Sequence, residues 1–257
     1  MITSTRHPLV QTFRRVGARP DGAAEERVLL DGPRVIGEAL DAGVVVETAL
    51  VAPAAPLGQP LADRLRAAGA RVYAAAPRVV QAASRVVTTQ GVVALARRPR
   101  PASDAVLGIP DLVLLVADRI QDPGNLGTII RTCVAAGASA VAVTEGTVDP
   151  YGSKALRATM GAAFRIPILT IHGAALRSAL AARRVRVLVA DAHAPIEYTQ
   201  APVAPPVAIV VGNESSGPDP AWDGVGERVR IPLRGPVESL NVAVAAALLL
   251  YEVARRR

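Results

Sequence analysis

Of 257 residues only one is cysteine and one tryptophan, and aromatic residues amount to 3%. The lone Cys133 excludes an intramolecular disulfide and any thiolate metal site. His7, His172 and His193 are scattered, which argues against a zinc centre, so no metal is expected. With so few aromatic rings, stacking platforms for single-stranded nucleic acid are nearly absent, and recognition of such a partner has to lean on charge and shape. Long hydrophobic runs are missing as well. The longest, Val242 to Tyr251, is too short to cross a bilayer, and Met1 to Arg15 lacks the apolar segment of a signal peptide. The expectation is a soluble, cytoplasmic protein without membrane attachment. No G-x-G-x-x-G follows a predicted strand and no G-K-[ST] loop occurs, which disfavours dinucleotides and nucleoside triphosphates as cofactors.

What the chain has in quantity is Ala, Val and Leu for a core, and arginine. Hydrophobic residues make up 51%, and 29 basic against 22 acidic residues leave a net charge of +7, with Lys154 the only lysine. An excess of this kind points to an anionic partner, most simply RNA phosphate. The length suits one large or two modest domains with a real core.

Residues 1–98 read as a small α/β domain. Val28 to Leu30 is a short strand, and Asp31 is placed to cap a helix with Val35, Ile36, Ala39 and Leu40 on one face. Strands follow at Val44 to Ala52, Arg71 to Tyr73 and Val92 to Ala96, with a helix at Leu61 to Ala68. Residues 99–110 read as a linker, since prolines and Gly108 at this density stiffen a connection and forbid a helix. Residues 111–257 then alternate apolar strands with helices. Strands are expected at Leu112–Ala117, Ala140–Thr144, Ile166–Leu169, Val185–Ala190, Val207–Val211 and Val229–Ile231. Helices are expected at Leu126–Ala136, Ser153–Met160, Ala174–Arg183 and Ser239–Arg255. The alternation predicts a parallel sheet, with ligands outside the carboxyl ends of its strands.

Three stretches lie at such ends. They are Asp122-Pro123-Gly124-Asn125-Leu126-Gly127-Thr128-Ile129-Ile130-Arg131-Thr132, then Ile209-Val210-Val211-Gly212-Asn213-Glu214-Ser215-Ser216-Gly217-Pro218, and finally IPLRGPVESLN from Ile231 to Asn241. In order and spacing they resemble the three motifs of the SpoU (TrmH-like) RNA ribose methyltransferases of the SPOUT superfamily. Each is weak alone; together they are a specific signal. Leu233 stands where methionine is common in the family, a volume-conserving exchange, and no residue of the catalytic set is missing.

The resemblance implies a C-terminal SPOUT domain with a deep trefoil knot. It also implies a preceding α/β RNA-binding domain similar to a ribosomal protein. Arg14, Arg15, Arg34, Arg78 and Arg85 there, with the Arg97–Arg100 cluster, are candidates for phosphate contact, while any single one is more commonly an ordinary solvated arginine. S-adenosyl-L-methionine is the implied cofactor. An acidic residue in the Gly212–Gly217 loop suits its sulfonium better than a pyrophosphate. Gly212, Ile231 and Leu240 are the implied cofactor positions, and a side chain at Gly212 is expected to protrude where the adenosine lies. The implied catalytic set is Asn125, Arg131, Glu214, Ser239 and Asn241. A 3.6-residue period puts Gly124, Gly127, Thr128 and Arg131 on one side of their helix. A guanidinium stays charged near neutral pH, so Arg131 is read here as binding phosphate and stabilising developing alkoxide charge instead of taking a proton. Family members pair through their knotted domains, and the apolar C-terminal helix exceeds what one small sheet covers, so a homodimer is expected. The expected reaction is methyl transfer to a ribose 2′-hydroxyl of large-subunit ribosomal RNA. A tRNA enzyme, a resistance methyltransferase and a non-catalytic RNA-binding or assembly factor are the alternatives.

Overall fold

The computed structural model describes residues 1–18 and 26–257. In chain order the first elements are α1 (Pro8–Ala18), β1 (Arg27–Asp31), α2 (Pro33–Asp41), β2 (Val46–Val51), α3 (Gly58–Ala67), β3 (Arg71–Ala74), α4 (Pro77–Ala83) and β4 (Val92–Arg97). Then come α5 (Ser103–Leu107), β5 (Val113–Ala117), α6 (Pro123–Ala135), β6 (Ala140–Val143), α7 (Ser153–Thr159), β7 (Ile168–Thr170) and α8 (Gly173–Ala182). The last are β8 (Arg186–Ala190), β9 (Ile196–Glu197), β10 (Val207–Val211), β11 (Glu227–Arg230) and α9 (Val242–Arg255).

These elements form two compact units, and the chain passes between them three times. The first unit holds Met1–Pro99 and a distant piece, Tyr151–Arg165. Its sheet has the order β1-β4-β2-β3, with β2 and β3 parallel and the other pairs antiparallel. Phe13, Leu29, Leu50, Val79 and Leu95 meet in its core. Asp31 does not cap α2. Gly32 holds that position, with no side-chain bond and Pro33 in the first turn, where proline supplies a helical φ and has no N–H to satisfy. The Asp31 carboxylate instead accepts from Ser84 Oγ (2.8 Å) and the Arg85 amide (2.7 Å).

The piece 151–165 departs from a division in which 111–257 is one body. Ala155, Leu156 and Thr159 of α7 are buried, and α7 packs on β1. Arg165 donates twice to Glu38 Oε2, at 2.9 and 2.6 Å. The apolar face of α7 is therefore spent on the first sheet, although α7 lies between two strands of the second.

The second unit is Arg100–Pro150 with Ile166–Arg257. Its seven strands are all parallel, in the order β7-β6-β5-β10-β8-β11-β9. Every residue of β5 and β10 is buried, as expected for strands covered on both faces. The stretch 99–110 is not helix-free: α5 lies inside it, with Val106 and Leu107 in the core. Its prolines flank α5 and leave its interior clear, and only an interior proline breaks a helix. At the other end, α9 begins at Val242, three residues later than the sequence pattern suggests. Asn241 is its N-cap, with Oδ1 accepting from the amides of Ala243 (2.9 Å) and Val244 (3.4 Å). Ser239 and Leu240 are thereby left in the preceding loop.

Candidate active site

The carboxyl ends of β8, β10 and β11, with the loop before α9, enclose a cleft of about 410 Å³. Gly212, Glu214, Ile231, Ser239 and Leu240 all line it. Val211, Val229, Leu233 and Val242 give it apolar walls, and its charged lining consists of Asp191, Glu214 and Glu238, with no arginine or lysine. In a chain of net charge +7 this is a locally acidic slot. It fits a nucleoside carrying a cationic sulfonium and disfavours phosphates.

Asn125 and Asn241 lie beside the cleft and tie the three motifs into one chain of hydrogen bonds. Asn125 Nδ2 donates to Glu214 Oε1 (3.0 Å), and Asn241 Nδ2 donates to Asn125 Oδ1 (2.9 Å). Asn241 thus spends its oxygen on the α9 cap and its nitrogen on the first motif. Asp122 caps α6 by accepting from the Asn125 amide (2.7 Å). Glu214 also receives longer bonds from the Asp122 amide (3.4 Å) and the Gln121 amide (3.5 Å), which sets its charge at the positive end of α6. Partial burial pushes the Glu214 carboxyl up, but the bonds from Asn125 and the backbone amides outweigh it and hold its pKa below the ordinary value.

Gly212 is required by its own loop. A Cβ there meets the Pro218 nitrogen at 2.0 Å and the Gly217 carbonyl carbon at 2.2 Å. A side chain at this position therefore strikes the loop backbone, a correction to the expectation that it would enter the adenosine space. The loop is a closed turn: the Gly217 amide donates to the Asn213 carbonyl (2.9 Å), and Asn213 Oδ1 accepts from the amides of Ser215 (3.0 Å) and Ser216 (3.1 Å). It is braced from the end of β5. Asp118, 3% exposed, accepts from Thr144 Oγ1 (2.7 Å) and from the Asp219 amide (2.8 Å). Arg119, in a left-handed conformation at φ 58, donates to the Gly217 carbonyl (3.3 Å) and accepts from Asn213 Nδ2 (3.1 Å) through its own carbonyl. Sequence reading missed this pair. Its signal was a charged dipeptide directly after a continuous apolar strand.

On α6, Gly124, Thr128 and Arg131 are exposed while Leu126, Ile129, Ile130 and Cys133 are buried. Gly127 is buried too, and α6 packs against α9. Arg131 is not part of the cleft lining; it stands on the open face of α6. Burial pushes the Cys133 thiol far above its usual value. In the first unit Arg14, Arg15, Arg34, Arg78 and Arg85 are all exposed, with Arg78 held to the Thr3 carbonyl. The Arg97–Arg100 cluster is less open than the sequence suggests. Arg98 is 9% exposed, with its guanidinium 4.7 Å from the Tyr151 ring centre, and Arg97 pairs with Glu47 at 3.2 Å. Among the described residues no group of His, Cys, Asp and Glu forms a metal site, and no helix is long and apolar enough to cross a membrane.

A parallel α/β sheet, an acidic slot at its strand ends and a polar chain joining three loops together fit a site for a nucleoside cofactor. The comparisons sharpen this reading. The model of the SpoU rRNA methylase family matches residues 112–251, and that of the MRM3-like substrate-binding domain matches residues 8–94. A 23S rRNA (guanosine(2553)-2′-O)-methyltransferase of Bacillus subtilis is 31% identical over 98% of each chain. The structure of an S-adenosylmethionine-bound rRNA methyltransferase from Sinorhizobium meliloti superposes with a TM-score of 0.87 at 29% identity, covering 99% of this chain and 97% of that one. The SpoU methyltransferase AviRb of Streptomyces viridochromogenes, also with its cofactor, gives 0.85 at 26%, covering 97% and 98%. The chain belongs to the SpoU rRNA methylase family. It is an RNA ribose 2′-O-methyltransferase, and S-adenosylmethionine is its methyl donor.

Proposed function

We propose that the enzyme methylates one ribose 2′-hydroxyl of large-subunit ribosomal RNA. The observation that carries the assignment of residues is the Glu214–Asn125–Asn241 chain of hydrogen bonds, which brings one residue of each motif to the rim of the acidic cleft. In this reading Gly212, Ile231 and Leu240 bound the adenosine, and Asn125, Arg131, Glu214, Ser239 and Asn241 serve the reaction. Held there, S-adenosylmethionine would supply an electrophilic methyl group to the ribose 2′-hydroxyl, whose proton would pass to solvent. Asn125 and Asn241 orient the ribose and the loop. Glu214 fixes the loop against α6. Arg131 binds the neighbouring phosphate and lowers the energy of the developing alkoxide.

The first unit, read as the RNA-binding domain similar to a ribosomal protein, supplies phosphate contacts through its exposed arginines. The second unit carries the deep trefoil knot of the SPOUT fold. It pairs with a second copy through α9, on which Val244, Leu248 and Tyr251 leave an exposed apolar stripe. The enzyme works in the cytoplasm. Mapping ribose methylation across total RNA with and without the gene tests the function. Loss of a single large-subunit rRNA mark is expected. Loss of a tRNA mark transfers the activity to tRNA, and an unchanged map makes the chain a binding or assembly factor.

A further inference from the structure

The sheet order places β8 between β10 and β11, the two strands whose ends carry Gly212 and Ile231. Asp191, Ala192 and His193 leave the carboxyl end of β8 and line the cleft between those positions. They belong to none of the three motifs. Asp191 has a fixed direction. Its amide donates to the Val229 carbonyl (2.9 Å), its Oδ1 accepts from the His193 amide (2.9 Å), and its Oδ2 accepts from Arg228 Nη1 (2.6 Å). The side chain remains 23% exposed. Burial opposes ionisation, but the His193 amide and Arg228 outweigh it and keep the carboxyl charged.

We propose that Asp191 is a cofactor-contacting residue whose carboxylate accepts hydrogen bonds from the ribose hydroxyls of S-adenosylmethionine. The proposal rests on the methyltransferase reading of the cleft. A carboxylate offers about four acceptor positions, and the two bonds above use only part of them. Arg228 is shared with Asp223 and so offsets only part of the charge. What Asp191 keeps is acceptor capacity, which a vicinal diol can use. The other carboxylates of the slot are less suited. Glu214 is occupied by Asn125 and backbone amides, and Glu238 is exposed on its loop. A carboxylate at a strand end beside a bound nucleoside is also how dinucleotide-binding sheets hold ribose.

The test is calorimetric binding of 5′-deoxy-5′-methylthioadenosine and its 2′,3′-dideoxy counterpart to the wild type and to Asp191→Ala. The wild type should prefer the diol by about ten- to a hundredfold, the scale of a hydrogen bond to a charged group. Asp191→Ala should bind both compounds equally. A variant that is merely loosened weakens both and keeps the preference, which overturns the proposal, as does a wild type without preference. Should Asp191→Ala fail to fold, Asp191→Asn is read in the same way, and an undiminished preference there overturns the proposal. S-adenosylmethionine is titrated in parallel. If the wild type fails to bind it, the methyltransferase reading falls and the proposal with it; binding without diol preference sinks the proposal alone.

Discussion

At the scale of single residues, the role proposed for Arg131 is the one that kinetics can separate. Arg131 is exposed on α6 beside Gly124 and Thr128, where a phosphate can approach a face with little bulk. If it binds phosphate and stabilises charge, Arg131→Ala leaves S-adenosylmethionine affinity nearly intact and slows methyl transfer by about a hundred- to a thousandfold, the scale of losing one preorganised donor. Arg131→Lys recovers part of that loss, since the charge stays while the planar fork goes. The rate–pH profile separates the roles: a stabiliser lowers the whole curve, whereas a base moves the midpoint of its rising limb when lysine replaces arginine. A midpoint that moves in Arg131→Lys would make Arg131 the proton acceptor. Gly212 gives no comparable test of cofactor contact. Its Cβ position is already filled by Pro218 and Gly217, so Gly212→Val opens the loop whether or not adenosine lies next to it.

At the scale of elements, most strands of the second unit were readable because they are short apolar runs bounded by turn residues, and β5 and β10 came out almost residue for residue; β11 (ERVR) starts two residues earlier than expected and β9 was missed, since neither is an apolar run. The helix α4 was not readable, because seven residues rich in alanine fit a loop equally well, and α1 was missed although Val10, Phe13 and Val16 recur at helical spacing. The three motifs were readable as sequence, and their junctions were not. That Asn241 caps α9 and also holds Asn125 depends on loops more than a hundred residues apart meeting. The same holds for Asp118, whose partners are Thr144 on one side and Asp219 on the other. Asp118→Ala removes both acceptors and leaves the part-buried Asp219 amide without its partner, a loss of about 1–3 kcal/mol. The expected result is a melting point several degrees lower and S-adenosylmethionine binding weaker by about tenfold. Thr144→Val removes only the Thr144 bond and leaves the loop amide satisfied, so it should lower the melting point and change cofactor affinity by no more than about twofold. Equal weakening in the two variants would mean that the brace acts through stability alone. On α9, Leu248→Glu places a charge within the exposed stripe of Val244, Leu248 and Tyr251. If the enzyme pairs through α9, light scattering should report a dimer for the wild type and a monomer for Leu248→Glu, and a wild type that is monomeric and active at micromolar concentration would remove the dimer from the account.

At the scale of the whole molecule, the two units are interleaved in sequence, which decides how the role of the first one can be tested. Cutting at Asp111 follows the composition of the chain but does two kinds of harm. It deletes α5, whose Val106 and Leu107 belong to the core of the second unit. It also keeps Tyr151–Arg165, whose buried residues Tyr151, Ala155 and Leu156 pack within the first unit and become exposed apolar surface when that unit is gone. A chain cut there should aggregate, and its failure to bind RNA would then say nothing about RNA binding. The informative fragment begins at Arg100 and replaces residues 151–165 with a Gly/Ser linker of the same length, which spans the gap without an apolar face. It should remain soluble and bind S-adenosylmethionine as the full chain does, because the cleft and its brace lie wholly in the second unit. If Arg14, Arg15, Arg34 and Arg85 contact phosphate, RNA affinity should fall and the dependence of the remaining affinity on salt should flatten. Methylation of the natural RNA by this fragment at the full-chain rate would show that the first unit does not deliver the substrate.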